Sequence, residues 1–366
     1  MQVAIIAITG NGARLGEVLQ QGIPGSRLFV IEKHAGPACE SFSEPVPALI
    51  SRLWPELGGF ICIMATGIVV RCIAPLLQAK DRDPAVVALD DAGKFAVSLL
   101  SGHLGGANAL AKSCASLAGC TPVITTATDA NDLPSFDLLA KENGWVIDDL
   151  SRVKVLNALL LEGKEIAVAD PTGWVKSYCA GRGNLTFVAD AEEAAASGAA
   201  GVLLVTNRTV GPNLDPQRTL VLRPVDLHLG VGCNRGTAAE EIEAVVIRNL
   251  ERLGLSLKSV KCLASARAKE DEAGLLAFAA KLGVPLLFFD NEELNAVSVP
   301  SPPSAHAMAA IGARGVAEPA ALLASGGGTL IMKKVKDGNV TLAVAQDKTK
   351  DSHTDDADEA DNRGLI

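Results

Sequence analysis

The segment SLLSGHLGGAN (98–108) sets an ionisable imidazole in a glycine-rich turn. With an ordinary pKa near about 6.5, His103 can take or give a proton around neutrality, which suits it to water attack or proton transfer. Glycines let the backbone approach a ligand, and the amide end of a following helix favours anions. Ser101, Gly102, Gly105, Gly106 and Asn108 are therefore candidate contacts. The plainer alternative is a histidine that packs or caps the turn. In MATGIVVR (64–71), Thr66 offers a hydroxyl for a helix N-cap or an oxyanion, and Arg71 could reach a carboxylate or lie on the surface. In TTATD (125–129), the hydroxyls of Thr125 and Thr126 and the acid of Asp129 could orient water, or simply form a turn. In GVGCNRGT (230–237), Gly232, Asn234, Gly236 and Thr237 surround Arg235, whose planar fork suits carboxylates. Lys269 and Glu272 are lesser candidates.

Strand-to-helix joints must hold these turns. Short β-rich runs alternate with Ala-rich amphipathic stretches, which predicts α/β architecture with mainly parallel sheets. Runs at 3–8, 27–31, 60–65, 86–90, 95–100 and 123–125 read as strands, and the pair flanking Asp91-Ala92-Gly93 as a hairpin. Helices are expected near 13–21, 67–77, 106–118 and 134–143, with Thr66 capping the second. A weaker pattern over 141–224 predicts a small α/β middle linker module. From 225 a clear third unit begins. Its first helix is expected to open at Thr237 with Thr237 and Glu240 as a capping box, and to end at Gly254. The expected domains are 1–140, 141–224 and 225–346, followed by an acidic disordered tail at 347–366.

Composition narrows the function classes. The chain of 366 residues is 48% hydrophobic but only 4% aromatic, with net charge −9. That balance provides sizeable cores and disfavours the basic stripe and stacking platforms of nucleic-acid binders. No apolar run approaches the roughly 18 residues a membrane span requires. The eight cysteines show no CxxC pairing and no spacing for a metal or a disulfide framework, so reduced thiols in the cytoplasm and no metal site are expected. GNGARLG (10–16) approaches a dinucleotide fingerprint, but its third glycine falls one residue late.

Seven stretches together resemble the CbiG family of cobalamin biosynthesis. In the amino-terminal part they are MATGIVVRCIAPLL (64–77), DPAVVALDDAGKFAVSLLSGHLGGANALA (83–111) and PVITTATD (122–129). In the carboxyl-terminal part, which also resembles CobE, they are LHLGVGCNRGT (227–237), KEDEAGLLAFAAKLGVPLLFF (269–289), EPAALLAS (318–325) and TLAVA (341–345). The resemblance implies a three-part α/β protein that hydrolyses the δ-lactone of cobalt-precorrin-5A, releases acetaldehyde and leaves cobalt-precorrin-5B. The cobalt would belong to the substrate, so no cofactor is expected of the protein. The resemblance allows transient contact with neighbouring corrin-pathway enzymes and leaves the oligomeric state open. Chemistry and placement then suggest His103 for proton transfer and Thr66 or the Gly102–Gly106 amides as oxyanion donors. Arg71 and Arg235 would grip substrate carboxylates. Two rival readings are a non-catalytic corrinoid carrier and a nucleotide-dependent enzyme using the 10–16 turn.

Overall fold

The computed structural model describes residues 1–79 and 82–348. The chain divides between Leu138 and Leu139 into two compact units. In the first, the strands are β1 (Val3–Ala7), β2 (Ser26–Ile31), β3 (Glu40–Phe42), β4 (Gly59–Ile63), β5 (Ala85–Leu89), β6 (Phe95–Leu100) and β7 (Thr121–Val123). Its helices are α1 (Gly10–Gly22), α2 (Val46–Leu53), α3 (Thr66–Ile73), α4 (Ala107–Ala118), α5 (Ala127–Ala130) and the start of α6 (Phe136–Glu142). The sheet order is β3-β2-β1-β4-β5-β6-β7. Every pair is parallel except β5 and β6, which form the expected hairpin. Every residue of β1, β4 and β5 is buried, as in parallel strands covered on both faces.

The hairpin reverses the chain, and this decides where the candidate turns lie. Leu100 at the end of β6 pairs with Val86 at the start of β5. The loop after β6 therefore sits at the edge where β1, β4 and β5 begin. Thr66 follows β4 and sits at the opposite edge, about 15–20 Å away for strands of this length. The expected partnership of Thr66 with His103 is corrected by this topology. Thr66 is also not the cap of α3: that position belongs to Ala65, and no side chain bonds there.

The second unit holds two sheets. The first contains β8 (Val146–Ile147), β9 (Ile166–Ala169), β10 (Leu185–Val188), β11 (Gly201–Val205) and β12 (Thr219–Arg223), in the order β10-β9-β11-β12-β8. Helices α7 (Leu150–Leu161), α8 (Trp174–Cys179) and α9 (Ala191–Ala196) connect them. This middle region carries more regular structure than its weak sequence pattern suggests. The other sheet contains β13 (Leu227–Cys233), β14 (Val260–Ala266), β15 (Leu286–Phe289), β16 (Thr329–Asp337) and β17 (Val340–Gln346), in the order β15-β14-β13-β17-β16. Its helices are α10 (Ala239–Leu253), α11 (Ala273–Leu282), α12 (Asn291–Ala296), α13 (Ala305–Ile311) and α14 (Ala317–Ala324).

Helix α10 buries Ile242, Val245, Val246 and Leu250 along one face and ends at Gly254, whose φ of 65° favours glycine. Its predicted capping box does not form. The Thr237 hydroxyl donates instead to the Asn234 carbonyl at 2.8 Å, and the helix starts at Ala239. Small residues permit close layers: a Cβ on Gly230 would stand 1.8 Å from the Ala317 carbonyl oxygen of α14. The expected acidic tail lies outside the described residues from 349 onward. Asp347, its first residue, is tied down by His228 and Lys261, at 2.6 and 2.7 Å.

Candidate active site

At the carboxyl ends of β6 and β7 a buried polar cluster forms around His103. The turn begins at Ser101, which has a left-handed φ of 57° and is pinned by its hydroxyl to the Asp83 carbonyl at 2.9 Å. Left-handed backbone costs a non-glycine residue about 1–2 kcal/mol, so the surrounding contacts must hold it. Gly105 fits only because it lacks a side chain: a Cβ would lie 2.3 Å from that of Ser101. Gly106, with φ 96°, then caps α4.

The imidazole of His103 is only 5% exposed and lies between two carboxylates. Nε2 is 3.0 Å from Asp129 Oδ2, and Nδ1 is 3.5 Å from Asp137 Oδ2. Thr128 and Ser135 hydroxyls flank the same ring, and Ser135 also donates to Asp137. Asp129 Oδ2 further accepts from the Thr126 hydroxyl at 2.6 Å and from Asn108 Nδ2 at 3.0 Å. Ser98 donates to Asn108 Oδ1, which fixes the amide's orientation.

These contacts set the charges. Asp137, and then Asp129, raise the His103 pKa above its ordinary value, outweighing the burial that would lower it. Burial pushes both carboxyls up, but hydrogen bonds overcome it. Thr126 and His103 lower Asp129, and His103 and Ser135 lower Asp137. The shifts favour the charged form of all three side chains. Asp129, 24% exposed against 5% for Asp137, is the cluster's outermost acid. His103 thus has a carboxylate beside each of its ring nitrogens.

The structure brings Ser101, Gly102, His103, Gly105, Gly106, Asn108, Thr126 and Asp129 into one neighbourhood. Thr125 is exposed beside them, whereas Thr66 and Arg71 are exposed on α3 at the other sheet edge. Sequence reasoning missed Asp137 and Ser135, which lie 32–34 positions from His103; Ser-x-Asp at the start of α6 was the available sign.

The fingerprint-like turn is a packing device. Thr9 caps α1 by accepting from the Gly12 amide at 2.9 Å, and a Cβ on Gly16 would strike Leu28 at 2.5 Å. The Asp91 carboxylate bonds Thr9 and Asn11 at this turn, an unfavourable neighbour for a pyrophosphate.

The second unit contains a cavity of about 740 Å³ beside β13 and β16. Gly232, Asn234, Arg235 and Lys269 line it. Arg235 bonds Asp271 and the Ala268 carbonyl. Glu272 is corrected from substrate candidate to support. It is 4% exposed and accepts from the Gly236 amide at 2.7 Å and from Lys269 Nζ at 3.1 Å, which holds the turn behind the cavity wall. Gly236, which is exposed, and Thr237, which is buried, are outside the lining. The sequence reading missed the lining cations Arg314, Lys334 and Lys336. Lys334 and Lys336 alternate along β16, and a strand's period of two puts both on one face. Among the described residues no group of three or more His, Cys, Asp or Glu is placed to hold a metal ion.

Three family models match in series: Cobalamin synthesis G N-terminal over 48–129, Cobalamin biosynthesis central region over 134–224, and Cobalamin synthesis G C-terminus over 227–345. The cobalt-precorrin-5A hydrolase of Priestia megaterium is 38% identical over 352 residues, 93% of this chain and 94% of its own. The chain belongs to the CbiG family. A second relative, the cobalt-precorrin-5A hydrolase of Salmonella typhimurium, is 32% identical over 93% of this chain and 97% of its own. Protein CobE of a Sinorhizobium species is 38% identical over 121 residues, covering 32% of this chain and 79% of its own. In this CbiG-family chain the His103 cluster lies at the end of the first matched region, with Asp137 just inside the second. The cavity belongs to the third. No described helix is long and apolar enough to cross a membrane.

Proposed function

We propose that this chain is a cobalt-precorrin-5A hydrolase of cobalamin biosynthesis, opening the δ-lactone and releasing acetaldehyde to give cobalt-precorrin-5B. The observation that carries the chemistry is the buried Asp137–His103–Asp129 array, in a chain whose relatives carry that enzyme's name. In this reading the cobalt arrives with the substrate and the protein supplies acid–base chemistry.

Lactone hydrolysis needs a proton taken from water and one returned to the departing alkoxide. The hydroxyl so freed must then lose its proton as the two-carbon unit leaves as an aldehyde, and the macrocycle must gain one. Asp129, the accessible carboxylate, accepts the proton from water and returns it to the departing alkoxide, then takes the freed hydroxyl's proton and returns it to the macrocycle carbon, while His103 behind it holds the carboxylate in place. A positioned acid–base group is worth about 10²–10⁴-fold. Among the described residues no acceptor engages the Gly105 or Gly106 amide, which leaves both as oxyanion donors. The cations lining the second unit's cavity suit carboxylate groups and offset the unfavourable field of an acidic chain. Cytoplasmic location is part of the same proposal, supported by the cysteine spacing.

The test is acetaldehyde release from cobalt-precorrin-5A by the wild type, His103→Asn and Asp129→Asn. Loss of about 10²-fold or more in folded variants supports the assignment, and near-normal turnover removes it. Tight stoichiometric binding without acetaldehyde from the wild type would favour the carrier reading.

A further inference from the structure

One wall of the second unit's cavity is a strap that packs on the core only at its far end, through Ile311 and Ala313. Helix α13 has no buried residue; its inner face, including His306, Ala307 and Ile311, lines the cavity. The two ends of the strap are held differently. At the far end, Asn291 and Asn295 on α12 donate to the Ile311 and Gly312 carbonyls, and the Arg314 amide donates to Asn295 Oδ1 at 2.7 Å. Gly312, with φ 73°, makes the bend there. At the near end, the Ser301 hydroxyl donates to the buried Glu318 carboxylate at 2.7 Å, and Lys334 Nζ donates to the Pro302 carbonyl at 2.7 Å.

Lys334 is therefore both a latch on the strap and a cation in the cavity wall. The five Lys and Arg residues of the lining face one lining acid, Glu318, whose Oε1 already accepts from Ser301 and from the Lys334 amide. The Arg314 guanidinium and the Lys336 ammonium have no side-chain partner among the described residues. Apolar strap residues beside unpaired cations suit a broad apolar ligand edged with several carboxylates.

We infer that Lys334 is a specificity-determining latch: a ligand carboxylate replaces the Pro302 carbonyl on its ammonium, and the released strap closes its apolar face over the macrocycle. A charged acceptor outcompetes a neutral carbonyl for the same donor, which gives the exchange its direction. Lys336 takes a further carboxylate without touching the strap, and Arg314 takes one at the strap's far end. The ligand's identity rests on the hydrolase reading; the latch itself rests on the cavity.

The experiment titrates the full chain with uroporphyrin III, a macrocycle bearing eight carboxylates, and with mesoporphyrin, bearing two. Amide hydrogen exchange over 299–311 is followed in parallel. Wild type should prefer uroporphyrin, and saturation should slow exchange in α13. Lys334→Met and Lys336→Met should each weaken uroporphyrin binding by roughly tenfold. Only Lys334→Met should speed exchange of the Ser304 amide, which donates to the Arg314 carbonyl at 2.6 Å, in the ligand-free chain, by roughly tenfold. Because Lys336→Met leaves the strap untouched, it controls for charge loss, and melting curves control for folding. Unchanged free-state exchange in Lys334→Met, absence of strap protection by uroporphyrin, or equal binding by both variants and wild type would overturn the latch. Binding and protection without acetaldehyde release from cobalt-precorrin-5A would keep the latch and sink the hydrolase reading. Normal acetaldehyde release with no macrocycle effect on the strap would do the reverse.

Discussion

Asp137 Oδ2 stands 3.5 Å from His103 Nδ1, and both side chains are 5% exposed. Charge buried this deeply persists only when paired, and the second carboxylate, Asp129, closes the other side of the ring. The pair fixes which nitrogen faces the outer acid and favours the protonated ring.

Activity should therefore keep an alkaline limb above about pH 6.5, because the His103 value is raised, chiefly by Asp137. Asp137→Asn removes the largest raising influence, so the limb should move toward lower pH. A pH–rate profile of acetaldehyde release checks both; an unmoved limb would separate Asp137 from the titration.

The same cluster makes stability pH-dependent in opposite senses at its two ends. The raised His103 value contributes stability that is fully present below about pH 6.5 and is lost as pH rises through the folded value. The lowered Asp129 and Asp137 values contribute above about pH 4 and are lost as pH falls through theirs. Denaturant midpoints of wild type against His103→Asn should differ most between about pH 4 and 6.5 and converge at alkaline pH. A difference that grows with rising pH would contradict the charge assignment.

Gly230→Ala should destabilise the second unit by about 1–3 kcal/mol or more, since the new Cβ would press on the Ala317 carbonyl where α14 crosses β13. Chemical denaturation measures this. A variant as stable as wild type would mean that α14 can shift without cost.

Glu272→Ala should loosen the turn that carries Arg235, because it leaves the Gly236 amide and Lys269 without their acceptor. A loss of about 1–3 kcal/mol is expected, and Glu272→Gln, which keeps one carbonyl oxygen, should recover part of it. Equal stability of the two variants would show that the acceptor is not what matters.

The first unit's strands were readable because parallel strands buried on both faces leave continuous apolar runs, as in Val3–Ala7 and Ala85–Leu89. The His103 turn was readable because Gly105 and Gly106 are required by contact and backbone angle. Thr66 was misplaced because the alternation of strands and helices does not reveal that one hairpin reverses the chain. Asp137 escaped because a long-range pair leaves no local spacing. Lys334 and Lys336 were in view as a period-two pattern, but only the cavity gives that pattern meaning. The capping box at Thr237 failed for a local reason: its hydroxyl closes the Asn234 turn before the helix begins.

The most direct test is a single turnover of cobalt-precorrin-5A in ¹⁸O-enriched water by wild type and Asp129→Asn. Water delivered to the lactone carbonyl by this array predicts one ¹⁸O in the newly freed carboxylate of the corrin product, appearing together with acetaldehyde. Both should be slowed by about 10²-fold or more in a folded Asp129→Asn. An unlabelled carboxylate, or label and acetaldehyde at wild-type rates from that variant, would contradict the account.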